Sequence, residues 1–84
     1  MVTQEYFEEL KKSMAKKSVN ALIREFNKQV GSRAWTSVRG LNDSVLVDTL
    51  IEKGIDVSAV YDGVEISFAR KIALSKDKKQ IIFA

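Results

Sequence analysis

The sequence predicts an α+β fold: two or three helices packed on a small antiparallel β-sheet. Three observations carry that expectation. Apolar residues recur at helical spacing through the first thirty residues, and a third helical pattern follows residue 42. Beyond Gly54 the pattern changes to alternation around an Asp62-Gly63 turn. Helices lead and a C-terminal β-meander follows. Neither layer can bury its apolar side alone, so each must cover the other. Eighty-four residues, 45% apolar and 30% charged, fit one domain over 1–84. A chain this short buries only about 60–65% of its unfolded surface, so the core is expected to be thin.

The first helix is expected over 4–16. Tyr6, Phe7, Leu10 and Met14 make one apolar stripe, and Thr3 is a fair N-cap. Glu5, Glu8 and Glu9 precede Lys11, Lys12, Lys16 and Lys17, an order that suits the helix dipole. Ser18 can cap a second helix over 19–30, with Val19, Leu22, Ile23, Phe26 and Val30 on one face and Gly31 closing it. One continuous helix from 4 to 30 is the alternative. Residues 33–39 contain Trp, Thr and Val and are read as a short strand, although Ser32 and Gly40 would also frame a short helix.

A helix over 43–53 follows, opened by the capping residues Asn42, Asp43 and Ser44, with Leu46, Val47, Leu50 and Ile51 inward. Gly54 and Ile55 fit a Schellman closure that packs Ile55 on Leu50. Asp62-Gly63 predicts a two-residue type I′ hairpin in which Tyr61 faces Val64, Ala59 faces Ile66 and Val57 faces Phe68. The second strand runs on to Leu74. Ser75 to Lys79 form a charged loop, and Gln80–Ala84 return as a last strand at the sheet edge, where Lys78 and Lys79 discourage stray pairing.

The absent residues exclude much chemistry. With no Cys there is no disulfide, thiolate nucleophile or cysteine zinc site, and with no His the commonest metal ligand and general base are missing. Asp, Glu, Lys, Tyr, Ser and Thr remain, in a chain barely long enough for a closed pocket, so no enzyme, cofactor or metal is expected. Asp48 and Glu52 share a helical face, but no third carboxylate converges with them and the calcium-loop pattern is missing. No Gly-rich phosphate loop exists. The longest apolar run is Ile81 to Ala84, far short of the ~20 residues of a membrane span, and an acid stands where a signal peptide would be basic. No membrane association and a cytoplasmic location are expected.

Charge is uneven along the chain. Residues 1–40 hold eight basic and four acidic groups, residues 41–63 one and five, and residues 64–84 five and two. The overall +3 is modest for a dedicated polyanion binder, yet a basic face can lie beside an acidic one. A nucleic-acid-binding module would use Arg24, Lys28, Arg33, Trp35, Arg39 and Arg70. Strict alternation puts Arg70 between Phe68 and Ile72 on the apolar face. Either the strand turns it outward there, or it is paired, or that end of the sheet is open to an anion or a partner.

The favoured expectation is a small non-catalytic protein that binds another protein as a regulator or inhibitor, of the kind accessory genes of phages and mobile elements encode. A homodimer is one form of it. Tyr6, Phe7, Met14, Ile81 and Phe83 are the candidate contacts. Ile81 and Ile82 must point to opposite sides of a strand, so one of them faces away from the helices.

Overall fold

The computed structural model describes residues 4–31 and 37–84, the side chains of 37–39 excepted. The fold is α+β. Helices α1 (Gln4–Ala15), α2 (Val19–Gln29) and α3 (Ser37–Glu52) precede an antiparallel pair of strands, β1 (Ile72–Leu74) and β2 (Ile81–Phe83). Helix α3 packs on both other helices, and α2 also packs on β1.

Helices α1 and α2 are separate, as the Ser18 cap requires. The Ser18 hydroxyl accepts the amide of Ala21 at 3.1 Å, and its extended backbone breaks the chain between them. The cation of Lys53, just past α3, donates to the carbonyl of Ala15 at 3.2 Å and so closes the C-terminal end of α1. Leu22, Phe26, Leu46, Val47, Leu50 and Ile72 form the centre of the interior, and the Phe26 ring stacks on Phe68 with centroids 4.4 Å apart.

Helix α3 differs from the expectation at its start. It begins at Ser37, so residues 37–39 are helical where a strand was expected; 33–36 lie outside the described residues. Asn42, Asp43 and Ser44 are therefore inside the helix and do not open it, and Asp43 is 1% exposed. Val45 joins Leu46, Val47 and Leu50 in the core, while Ile51 is exposed. A helix flanked by two others is covered around much of its girth, which blurs the one-sided pattern that marks a surface helix. Its C-terminal end follows the expected closure. Ile55 donates to Leu50 at 3.0 Å and Gly54 to Ile51 at 2.9 Å, with Gly54 at φ +83°.

The meander is shorter than expected. Residues 57–61 form a tight turn in which the carbonyl of Val57 accepts the amides of both Val60 and Tyr61. Val57 and Val60 are consequently buried and Ala59 is exposed. The Asp62-Gly63 reversal spans four residues instead of two. The Asp62 carboxylate gathers the amides of Val64 and Glu65 at 2.8 Å each, Gly63 takes φ +99°, and Tyr61 bridges to Ile66. The pairing of Tyr61 with Val64, and those of Ala59 and Val57 built on it, are thereby replaced. The slip is two residues, an even number, so Ile66 and Phe68 still point inward while Val64 is left 87% exposed.

Candidate docking surface

The surface is built on the β1–β2 hairpin. Ile72 pairs with Phe83, Ala73 with Ile82 and Leu74 with Ile81. Alternation drives Ile72 and Ile81 into the core and sets Ile82, 41% exposed, on the outer face beside Ala73. The connecting loop is held by the Asp77 carboxylate, which accepts from the Ser75 hydroxyl and from the Lys79 amide. These bonds hold Asp77 below the ordinary carboxylate value of 3.8; the Ser58 amide and hydroxyl do the same for Asp56, and the amides of Glu65 and Val64 for Asp62.

The two margins of the hairpin are treated differently. On the β1 side the carboxamide of Asn27 donates to the carbonyl of Ile72 at 2.9 Å and accepts its amide at 2.8 Å. One side chain thus takes the place of a third strand. On the β2 side Asp56 pairs with the start of the strand only: Ile81 donates to Asp56 and Asp56 to Lys79, both at 2.8 Å. Ser75 and Ala84 bond across the hairpin to Gln80 and Lys71, so Ile81 and Phe83 turn their backbone groups away from β1. Among the described residues no hydrogen bond reaches that outward side of Phe83.

Arg70 lies at the open end of the hairpin. It is exposed at a bend just before β1, and its guanidinium sits 4.5 Å from the centroid of the Phe83 ring, itself 42% exposed. Lys71, Lys76, Lys78 and Lys79 are also exposed, with Asp77 as the one acid between Arg70 and Gln80.

The expected contact residues divide. Phe83 and Tyr6 are exposed. Phe7 is half-buried at a groove between α1 and α3, with the Lys11 ammonium 5.3 Å from its ring and Asp48, Ile51 and Glu52 opposite. Met14 and Ile81 are interior residues, each 3% exposed, because both complete the core; neither offers a side chain to a partner. Of the basic set, Arg24 and Lys28 lie one turn apart on α2, and Lys28 shares Glu25 with Lys17 at 3.8 and 3.5 Å. Arg33, Trp35 and the side chain of Arg39 lie outside the described residues.

Asn27 was missed in the sequence, and Ile82 was left undecided against Ile81 as the outward residue of the terminal strand. Asn27 carried a signal, since it falls four residues after Ile23 and three before Val30 on the apolar side of α2. For Ile82, alternation gave two choices and only the parity of Ile72 decides between them. Among the described residues no three acidic groups converge, and no helix is long and apolar enough to cross a membrane. Comparison with protein families, with curated proteins and with solved structures finds no match.

Proposed function

We propose that this chain is a non-catalytic docking protein, a regulator or inhibitor that engages a protein partner through the β1–β2 hairpin. The observation behind this reading is the uneven treatment of the hairpin's margins. Asn27 closes one, whereas on the other the backbone of Phe83 faces outward beside the exposed side chains of Ile82 and Phe83. Apolar side chains next to an incompletely paired strand suit recognition by strand addition.

The test compares the wild-type chain with Ile82→Asp and Phe83→Ser, both at exposed positions, as baits in an extract of the cells that make it. A partner retained by the wild type and lost with both variants, at unchanged circular dichroism, supports hairpin docking. Retention indifferent to both variants overturns it. Light scattering on the same samples reports whether the partner is a second copy.

Nucleic-acid binding is the second reading. It is favoured by one contact, the Arg70 guanidinium on the exposed Phe83 ring amid lysines, a combination that can hold a phosphate and stack a base. A gel shift at low salt that vanishes in Arg70→Ala supports it, and the absence of any shift removes it.

A further inference from the structure

We infer that the segment docking on the hairpin is an extended acidic peptide with apolar residues at alternate positions, added as a strand along the outward side of Phe83. This rests on the docking reading above and names its partner's chemistry. The backbone part of the argument is geometric. Ile81 and Phe83 face away from β1, Asp56 takes the amide of Ile81, and the amide and carbonyl of Phe83 come next along the same margin. An incoming strand meets these groups and projects its side chains alternately to the two faces of the hairpin.

Each face asks for a different residue type. On the outer face Ile82 and Ala73 form an apolar step, so an apolar side chain belongs beside them. At the face of Ile72 and Phe83, Arg70 lies over the Phe83 ring, and Lys71 at one end of the strand pair and Lys78 and Lys79 at the other are exposed. The one acid of the loop, Asp77, already accepts from Ser75 and Lys79. Carboxylates are the complement of such a rim, and they would be drawn in by the field of the exposed bases.

Charge also selects among occupants. A second copy paired through the same margin would bring one net-basic hairpin against another, and like charges oppose such pairing. A nucleic acid would satisfy the bases but leave Ile82 without an apolar partner. An acidic-apolar peptide satisfies both.

The test uses the full chain and three labelled probes: a decapeptide of alternating Glu and Val, its Lys-Val counterpart, and a single-stranded oligonucleotide. Fluorescence anisotropy gives the affinities, and amide shifts of the protein locate the contact. The Glu-Val peptide should bind, shift the amides of Ile82 and Phe83, and weaken about tenfold between low and physiological salt. Exchanging the charge with Arg70→Glu should reverse the preference toward Lys-Val, a result that lost folding cannot mimic. Equal binding of the two peptides, binding of neither, contact away from β2, or tighter binding of the oligonucleotide each overturns the inference. If hairpin-dependent partner capture persists while the Glu-Val peptide fails, only the partner's chemistry is wrong. If both fail, the docking reading falls with it.

Discussion

Asn27 satisfies two backbone groups of Ile72 with one carboxamide, 45 residues away in sequence and partly out of water. Replacing it by Ala removes both bonds and leaves an amide and a carbonyl to find water at the margin of the core. Each lost bond costs about 1 kcal/mol, so Asn27→Ala should destabilise the fold by about 2 kcal/mol in urea titration. A loss within about 0.5 kcal/mol, the range of an ordinary surface change, would mean the tie carries no stability. Asp62 is a solvent-exposed counterpart. Its carboxylate is held below 3.8 by the amides of Glu65 and Val64, so its charged form belongs to the folded state. A depressed carboxylate adds stability that is complete above its unfolded value and fades as pH falls through its folded one. Asp56 and Asp77 act in the same direction. The urea midpoint should therefore drop as pH is lowered from about 4 toward 2, and Asp62→Asn, which keeps the accepting oxygen, should drop less steeply. An identical acid slope in both proteins would remove Asp62 from the account.

At the scale of elements, helix ends were more legible than helix interiors. Ser18 and the Gly54-Ile55 pair are local signals acting on their own neighbours, and both operate as their residue types demand. A methyl added at Gly54, where φ is +83°, would meet nothing within 4 Å, so Gly54→Ala tests backbone conformation and no clash. It should cost about 1 kcal/mol, as should Ser18→Ala, both read as shifts in thermal midpoint. Gly54→Asn should recover part of that loss, because Asn tolerates the left-handed region better than Ala does. What failed in the sequence was long-range. Asn42, Asp43 and Ser44 have the composition of a cap, yet Asp43 is buried within α3, where tertiary packing overrides local preference. Alternation at 57–68 was real but gave the wrong hairpin, since the Asp62 carboxylate organised a four-residue loop that no count of apolar positions reveals. The candidate surface was legible in its aromatic, Phe83, and ambiguous in its aliphatic, Ile82.

For the whole molecule, the thin interior makes stability depend on few residues. Phe26 is fully buried, stacks on Phe68 and lies on the helix that packs against both α3 and β1. Phe26→Ala should cost about 3–5 kcal/mol, enough to leave much of a domain this size unfolded at room temperature. Val64→Ala, at an apolar position 87% exposed, should stay within about 0.5 kcal/mol; equal losses at the two sites would contradict the described core. Circular dichroism melts of the two variants make the comparison. Charge is divided on the same scale. The acids Asp48, Glu52, Asp56, Asp62 and Glu65 fall on α3 and the loops after it, and the bases from Arg70 to Lys79 on the hairpin.

In the docking reading, the carboxamide lodged against Ile72 also limits stoichiometry. A sheet with two bare rails can recruit a neighbour on each and propagate into a fibre; a sheet with one rail plugged stops after a single guest. Strand addition to this hairpin is thereby confined to the β2 side, since α2, which carries Asn27, itself packs along β1.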